Sequence, residues 1–300
     1  MSEEKVVKVG SNSYVVEQLR DFDLDNIFDC GQCFRWTREE DGSYTGIAFG
    51  KVVNMKVCEN QNGKSLVVEN SNKQDYDEIW SKYMDMERDY GKIKRNLGQH
   101  DEVMIRAIDA GPGIRILRQE LWETMVSFII SQNNNIPRIK GCIEKLCTLK
   151  GEYVGNYKGK DFYAIPSPNV LAQLKVRDLE ECRLGYRAPY LIETAGQVVD
   201  AGGIEKVQET LLSLNSCHEV LDALMKFQGI GPKVANCIAL FGLGRLDAFP
   251  IDVWVRRVMS RLYGIDEKDV KTMAEYAEKN FGNVGGIAQQ YLFYYIRGLE

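Results

Sequence analysis

The chain has 300 residues, of which 44% are hydrophobic and 27% charged, and its formal net charge at pH 7 is −5. This composition is typical of a globular protein of one or two domains with an apolar core, and it argues against a disordered chain. The amino terminus lacks an apolar signal segment, and no stretch approaches 18 uninterrupted apolar residues, so neither secretion nor membrane spanning is expected.

The acidic net charge argues against nonspecific nucleic-acid binding, but the charge is unevenly distributed. Residues 226–263 contain six Lys or Arg and only two acidic residues. Because clustering of charge matters more than its sum, a locally basic face on an acidic protein is expected here.

The eight cysteines are expected to be reduced thiols, because no secretion signal accompanies them. Cys30-Gly-Gln-Cys33 is a C-x-x-C motif, which is typical of a redox pair or of half a zinc site. No second such motif accompanies it, the chain has only two histidines, and no cysteine follows Cys237. We therefore expect no metal and no iron–sulfur cluster.

Along the chain, residues 12–70 alternate apolar and polar positions and predict an antiparallel sheet. Asp41-Gly42 and Asn62-Gly63 are strong hairpin signals within it. Residues 73–109 have helical spacing instead, and Gly-Pro-Gly at 111–113 interrupts the chain. These features predict a domain over 1–112 that consists of a sheet with flanking helices.

Residues 113–300 predict an all-helical domain, so the fold class is α+β. The first helix is expected over 117–131, and Asn135 is expected to cap the second, with Pro137 in its first turn. The later helices are predicted at 168–182, 187–200, 217–227, 232–243, 252–263, 266–281 and 285–298.

One helix–turn–helix segment carries the candidate chemistry. Gly229 and Gly231 flank a tight turn, and the next helix start offers free N–H groups to a phosphate. Lys233 lies in that first turn, where the helix dipole and partial burial favour a neutral, nucleophilic amine. Asp252 follows a proline at the start of another helix. A simple helical corner, a solvated lysine and an N-cap aspartate remain the plainer alternatives.

The Gly-Ile-Gly-Pro-Lys233 and Pro250-Ile-Asp252 motifs resemble those of base-excision DNA glycosylases of the helix-hairpin-helix (HhH-GPD) superfamily, and more narrowly 8-oxoguanine DNA glycosylase/lyases. The resemblance extends over nearly the whole chain. It implies a TBP-like antiparallel sheet domain followed by a helix-hairpin-helix domain. It also implies that Lys233 attacks C1′ of an everted nucleotide and forms a Schiff base, with Asp252 stabilising the charge on the sugar.

The same resemblance assigns residues to the damaged base. Gly31 matches the glycine whose carbonyl accepts the N7–H that only the oxidised base carries, since guanine has an acceptor there. Cys237 and Phe293 match the pair that sandwiches the base, and Gln289 matches the residue at its Watson–Crick edge. Without the resemblance, Cys237 and Phe293 would be interpreted as core residues.

The resemblance also places residues on the opposite strand. Asn133 matches the residue that fills the vacated stack, and Tyr186 matches the wedge. Arg138 and Arg187 match two residues that recognise the orphaned cytosine, so a preference for cytosine opposite the lesion is expected. Taken singly, each of these is more simply a cap or a surface residue.

One position departs from the family pattern. Animal members have a phosphate-binding histidine two residues after the aspartate, where this chain has Trp254, which offers one N–H and no charge. Arg256 or the hairpin amides are candidates to compensate. No cofactor is expected, although family members can bind a monovalent cation through hairpin carbonyls.

The expected partner is double-stranded DNA that contains oxidised guanine. The expected state is a monomer, and the expected location is the cytoplasm, on the nucleoid in a prokaryote. Two alternatives are a glycosylase of the same superfamily for another damaged purine and a non-catalytic DNA-binding module. Gly31, Cys237, Gln289 and Phe293 argue against the first, and the presence of both Lys233 and Asp252 argues against the second.

Overall fold

The computed structural model describes residues 5–8, 10, 12–61 and 63–299. Within them, six strands form one antiparallel sheet in the order β1-β2-β6-β5-β4-β3. The strands are β1 (Lys5–Lys8), β2 (Ser13–Leu19), β3 (Trp36–Arg38), β4 (Tyr44–Ala48), β5 (Lys51–Asn60) and β6 (Gly63–Glu69).

The predicted sheet and its first hairpin are confirmed. β3 and β4 pair with Arg38 opposite Tyr44, so the turn contains Asp41 and Gly42, and Gly42 has a φ of 79°. β5 and β6 pair down to Asn60 opposite Gly63, but Asn62 of the second hairpin signal lies outside the described residues. A further hairpin, between β4 and β5, turns at Phe49 and Gly50.

The prediction of strands throughout 12–70 is wrong for one segment, because α1 (Leu24–Phe28) lies within it. Asp23 caps this helix by accepting a hydrogen bond from the Asn26 N–H at 2.9 Å. Leu24, Ile27 and Phe28 are its buried residues, so its apolar spacing is helical rather than alternating. The Phe28 ring stacks on Trp36 at 4.1 Å between centroids, which fixes α1 against the sheet.

The helices of the first 112 residues are shorter than their spacing predicted. A π-helical stretch, Tyr76–Trp80, separates two of them. They are α2 (Lys73–Asp75), α3 (Ser81–Tyr83), α4 (Tyr90–Leu97) and α5 (Glu102–Ala110), and the Gly-Pro-Gly segment ends the last.

After residue 120 the described chain is mostly helical. The helices are α6 (Leu121–Ser131), α7 (Ile136–Lys150), α8 (Pro168–Ala172), α9 (Arg187–Asp200), α10 (Ile204–Leu212), α11 (Cys217–Leu224), α12 (Pro232–Leu243), α13 (Val253–Tyr263), α14 (Val270–Phe281) and α15 (Gly285–Gly298). The predicted bounds of α9, α12 and α15 are confirmed. α10 was not predicted, although Gly202-Gly203 marks the turn before it.

Four other predicted helices need correction. The helix predicted over 117–131 begins at Leu121, and the helix predicted over 217–227 ends at Leu224. The segment 168–182 divides into α8 and a 3-10 helix, Val176–Cys182. The helix predicted from 266 begins at Val270, because Asp269 caps it by accepting the Thr272 N–H at 3.0 Å.

A two-stranded sheet also interrupts the predicted helical domain. β7 (Tyr153–Tyr157) and β8 (Lys160–Tyr163) pair across a turn at Lys158 and Gly159, which both have positive φ. Arg35 follows the loop after α1, and its buried side chain donates to the Tyr163 carbonyl of this hairpin. The hairpin thus packs against the amino-terminal sheet, with Phe162 buried beside Ile47 and Val52.

The helical core is centred on α6, of which nine of eleven residues are buried. Buried residues of α4 and α5, such as Leu97 and Met104, belong to this core and not to the sheet's core. The sheet's core in turn contains Leu117, so each core includes residues from both sides of residue 112. The predicted boundary at 112/113 therefore stays a prediction. Among the described residues, no helix is long and apolar enough to cross a membrane.

Gln32 fixes the loop after α1 to the segment that enters α6. Its Nε2 donates to the Ile27 and Arg115 carbonyls at 2.9 and 2.8 Å, and its Oε1 accepts the Leu117 N–H at 2.9 Å. The side chain is fully buried. This loop carries Gly31, so the amide of Gln32 sets the position of that glycine.

Gln32→Leu keeps the approximate volume of the side chain but leaves the Arg115 carbonyl and the Leu117 N–H buried without the Gln32 amide, whereas the Ile27 carbonyl still accepts from the Cys30 thiol. Because each unpaired group costs about 1–3 kcal/mol, we expect the unfolding free energy to fall by about 2 kcal/mol or more in urea denaturation. Gln74→Leu, which removes only an exposed hydrogen bond to Glu78, should change it by less than about 0.5 kcal/mol. Equal small effects of both substitutions would contradict the role given to Gln32.

Candidate functional site

A cavity of about 930 Å³ lies where the loop after α1 meets the helical domain. Its walls come from residues 30–34, the α6–α7 loop, the start of α12, residues 250–256 and the face of α15 that carries Gln289, Phe293 and Arg297. Nine of the predicted residues line it: Gly31, Asn133, Gly231, Lys233, Cys237, Asp252, Trp254, Gln289 and Phe293. Residues more than 250 positions apart in the sequence thus face one volume.

Lys233 lies in the first turn of α12, with Gly231 as its N-cap and Pro232 as its first residue. The side chain is half-buried, and its Nζ lies 5.3 Å from the centroid of the Phe128 ring. Its positive charge also lowers the pKa of the Cys237 thiol, one helical turn later. The amine therefore lies at the cavity wall over an aromatic face and close to a thiol.

Asp252 caps α13, as its position before a helix predicted. Its Oδ1 accepts the N–H groups of Trp254 and Val255, both at 2.9 Å. Burial raises the pKa of this carboxyl, whereas the two N–H groups and the charge of Lys233 act in the opposite direction. The carboxylate and the amine thus interact, and each lies at the start of its own helix.

The segment between the two helices is fixed by Asn236. Its Oδ1 accepts the Phe249 N–H at 3.0 Å, three residues before Asp252. A side chain in α12 thereby sets how closely the chain after it returns to Lys233.

Cys237 is buried on α12 one turn after Lys233. Burial raises the pKa of its thiol to about 11, against the effect of the Lys233 charge. The sulfur at the cavity wall is therefore a neutral thiol at neutral pH, which is a polarizable surface for a planar group.

Gly31 and Phe293 form a narrow part of the cavity. Gly31 has a φ of 77°, and a methyl group added to it would lie 3.1 Å from Cε1 of Phe293. A side chain at position 31 would therefore be strained in its backbone and would press on the ring. The glycine leaves its backbone open to a ligand that packs on Phe293.

Gln289 lies four residues before Phe293 on α15 and is 4% exposed. Its Oε1 is buried without a hydrogen-bond partner, although the residue lines the cavity. A buried amide oxygen without a partner costs free energy, so a ligand that donates a hydrogen bond would remove that cost.

The predicted opposite-strand residues lie on or beside the α6–α7 loop, which forms the rim of the cavity; Asn133, Arg138, Tyr186 and Arg187 are called the rim cluster. Arg187 donates to the carbonyls of Gln132, Asn133 and Leu184 and is only 3% exposed. Tyr186 is 49% exposed, and its hydroxyl donates to the Gln132 carbonyl at 3.2 Å. In this structure Arg187 positions the α6–α7 loop, and its role toward a cytosine stays a prediction.

Asn133, at the tip of that loop, is exposed and has a φ of 46°, which asparagine tolerates better than most residues. Arg138 is exposed in the first turn of α7, after the Asn135 cap that was predicted. Trp254 is half-buried, and the Arg257 guanidinium lies 4.8 Å from its ring centroid. The positively charged guanidinium of Arg257 therefore lies beside the uncharged indole of Trp254.

The hairpin is tied to the same loop. Gly229 has a φ of 74°, and a methyl group there would lie 2.6 Å from the Tyr190 ring, so the turn requires glycine. The Gln132 Nε2 donates to the Gly229 carbonyl at 3.0 Å. This hydrogen bond joins the α6–α7 loop to the hairpin.

The sequence analysis missed three residues that shape the cavity: Gln132, Gln290 and Arg297. The Gln290 Nε2 donates to the Cys30 carbonyl at 2.5 Å, and Arg297 donates to the Asp29 carbonyl at 3.3 Å. Both lie on α15 at helical spacing from Gln289 or Phe293, which was the available signal.

All eight cysteines are free thiols, and Cys30 and Cys33 are buried. Burial raises the pKa of Cys30 to about 11 and that of Cys33 well above its ordinary value. Within the described part of the chain, no three or more His, Cys, Asp or Glu side chains are placed to hold a metal ion.

Comparison with known proteins gives two family matches that together cover residues 14–282. Residues 14–125 match the 8-oxoguanine DNA glycosylase N-terminal domain, and residues 126–282 match the HhH-GPD superfamily of base excision DNA repair proteins.

Two solved structures are similar over 99% of both chains with a TM-score of 0.91. One is the 8-oxoguanine glycosylase/lyase of Clostridium acetobutylicum with double-stranded DNA containing cytosine opposite 8-oxoG, at 41% identity. The other is MBOgg1 with a low-affinity DNA ligand, at 44% identity. A probable N-glycosylase/DNA lyase of Methanothermobacter thermautotrophicus is 30% identical over 66% of this chain and 68% of its own.

The raised pKa of the buried Asp252 carboxyl predicts how the unfolding free energy changes with pH. Because its pKa is raised in the folded state, the folded protein holds the proton more tightly, and unfolding free energy falls as pH rises through the window above the ordinary aspartate value. Asn is also a good N-cap. Asp252→Asn should therefore become more stable than the wild type as pH rises toward 7, by up to about 1 kcal/mol.

Urea denaturation between pH 4 and 7 checks this, with Asp269→Asn as the matched control. The Asp269 cap is exposed, and hydrogen bonds from Thr272 lower its pKa, so its substitution should remove stability that is present above the ordinary aspartate value. A pH trend of the same sign for both variants would contradict the burial argument.

Proposed function

Because the chain belongs to the HhH-GPD superfamily of base-excision DNA repair proteins, we propose that it is an 8-oxoguanine DNA glycosylase with lyase activity on double-stranded DNA. The observation that carries the proposal is the shared cavity, where Lys233 and Asp252 face Gly31, Gln289 and Phe293. The similarity to an 8-oxoguanine glycosylase/lyase over both whole chains supports the same substrate.

The base of an everted nucleotide would occupy the space between Cys237 and Phe293. A neutral thiol and an aromatic ring offer two apolar faces to a planar base. The Gly31 carbonyl would accept the N7–H of 8-oxoguanine, whereas it would face the N7 acceptor of guanine. A single hydrogen bond of this kind discriminates by about 1–3 kcal/mol.

Gln289 would complete the recognition of the base. Its Oε1 is buried without a hydrogen-bond partner, so an N–H donor on the Watson–Crick edge would satisfy it. This interaction would help to offset the few kcal/mol that everting a base from the duplex costs.

Lys233 would attack C1′ of the everted nucleotide once its amine is neutral. The bond from C1′ to the base breaks as the new C–N bond forms, and Asp252 stabilises the positive charge that develops on the sugar. The resulting amine adduct opens to a Schiff base, from which β-elimination cleaves the strand 3′ to the lesion. No step of this scheme requires a cofactor.

The rim cluster would face the complementary strand. Tyr186 and Asn133 are exposed at the rim and would occupy the gap left by the everted base. For Arg187 to contact an orphaned cytosine, its guanidinium would have to leave the carbonyls of Gln132 and Asn133. We propose that Arg138 and Arg187 give a preference for cytosine.

The hairpin is also proposed to hold a monovalent cation in a structural role. The carbonyls of Lys226, Gln228 and Gly229 already accept side-chain hydrogen bonds from Gln197, Thr194 and Gln132. A cation would therefore use their second lone pairs or the other carbonyls of the turn. Because DNA is the substrate, the proposed location is the compartment that holds it, the cytoplasm in a prokaryote, and the proposed state is a monomer.

Borohydride trapping tests the proposed chemistry. The wild type should form a covalent adduct with a duplex carrying 8-oxoguanine, most strongly opposite cytosine. Lys233→Gln should bind that duplex but lose the adduct and strand cleavage by at least about 10³-fold, because the nucleophile is absent. Lys279→Gln, an exposed lysine at the end of α14, is the matched control and should react like the wild type.

Two outcomes would contradict the proposal. Release of free base without an adduct would indicate a glycosylase that uses water. No release from any oxidised-guanine duplex would indicate another damaged purine or a DNA-binding module without catalysis.

Gln289→Leu tests the recognition of the base separately. Removing the unpartnered amide should leave unfolding free energy unchanged or higher, because a buried polar cost disappears. Single-turnover release of 8-oxoguanine should nevertheless fall by about 10- to 100-fold, which corresponds to about 1–3 kcal/mol. A variant that is destabilised, or that releases base at the wild-type rate, would show that Gln289 serves the core instead.

A further inference from the structure

α15 presents three cavity residues along one face. Gln289, Phe293 and Arg297 follow each other at intervals of four residues, and all three line the cavity. The first two have proposed roles at the base, whereas Arg297 has none so far. Its position in the last turn of the helix places a cation beside the site that the base would occupy.

Arg297 contacts both sides of the narrow part of the cavity. The centre of its guanidinium lies 5.3 Å from the centroid of the Phe293 ring. Its Nη1 donates to the Asp29 carbonyl at 3.3 Å. Asp29 is the C-cap of α1 and precedes Gly31 by two residues, so one side chain joins the ring to the loop that carries the glycine.

The other links between α15 and this loop do not involve the ring. Asn26 donates to the Tyr294 hydroxyl at 3.1 Å, and Gln290 donates to the Cys30 carbonyl at 2.5 Å. These hydrogen bonds fix α15 against the loop. The half-buried Phe293 ring is held from the loop side by the open backbone of Gly31, and from the side of the last turn by the Arg297 guanidinium.

We propose that Arg297 is a positioning residue for base recognition, which holds the Phe293 ring against the Gly31 loop so that the space between the ring and Cys237 admits one planar base. This inference rests on the proposed function, since it assigns a specific step to Arg297. Without the guanidinium the ring would be free to rotate away from Gly31 and into the space that the base would occupy. The substrate it serves is the damaged base and not the abasic sugar.

Arg297 also acts on the other half of the site. Burial raises the pKa of the Asp252 carboxyl, and the positive charge of Arg297 is among the influences that lower it. If that were the main role of Arg297, its loss would slow all chemistry that depends on Asp252. A positioning role at the base predicts a different result, because cleavage at an abasic site needs Lys233 and Asp252 but no base.

The test compares two substrates for each variant: a duplex with 8-oxoguanine opposite cytosine, and the same duplex with a preformed abasic site. Arg297→Met keeps the length of the side chain and removes its charge and hydrogen bond. We expect single-turnover base release to fall about tenfold or more, because a cation–π contact and a charged hydrogen bond are lost. Abasic-site cleavage should stay within about twofold of the wild type.

Arg297→Lys keeps a cation for the ring but loses the planar donor to Asp29, so it should recover part of the base release. Arg95→Met is the matched control, since Arg95 is an exposed arginine on α4 that does not line the cavity. It should match the wild type on both substrates. Thermal unfolding of each variant shows whether the folded state is retained.

An equal fall on both substrates would overturn the inference and assign Arg297 to Asp252 or to the fold. Wild-type rates for Arg297→Met on both substrates would overturn it as well. Failure of the proposed function is distinct, because the wild type itself would then not release base from the lesion duplex.

Discussion

The close contact between Gly31 and Phe293 is the constraint on which the rest of the site depends. It joins the loop after α1 to the last helix, so the cavity exists only when the amino-terminal and helical parts are packed together. Gln32 fixes this loop to the segment 115–117, and Gln290 fixes it to α15. The residues proposed to recognise the base come from both ends of the chain, so base recognition requires that both parts are folded and packed together. Lys233 and Asp252, in contrast, lie at the starts of the adjacent helices α12 and α13.

Two costs of folding are concentrated at this cavity. A carboxylate at Asp252 is disfavoured by burial, and the Gln289 amide oxygen is buried without a partner. Neither feature stabilises the folded protein by itself, and both would become favourable when a cationic sugar and a base with an N–H donor are present. Buried charges and polar atoms without hydrogen-bond partners are expected where a protein binds its substrate.

The sequence predicted the α+β class, the five strands of the sheet that lie within 12–70, and the bounds of α9, α12 and α15, because glycines at or near both ends of each helix agree with its apolar spacing. β1 lies before the predicted range. It missed α1 and the β7–β8 hairpin, where short elements are stabilised by contacts such as Phe28 on Trp36 and Arg35 to Tyr163 rather than by local pattern. The site residues followed from a family resemblance, and the structure places nine of them around one cavity. The helical spacing of Arg297 from Phe293 was a signal in the sequence, but its contact with a carbonyl 268 positions away could not be predicted.

The most direct test of the account is a crystal structure of Lys233→Gln bound to a duplex with 8-oxoguanine opposite cytosine. The account predicts an everted base between Cys237 and Phe293, with its N7 within hydrogen-bond distance of the Gly31 carbonyl and its Watson–Crick edge on Gln289. A base that remains stacked in the duplex, or that enters the cavity with another edge toward Gly31, would contradict it.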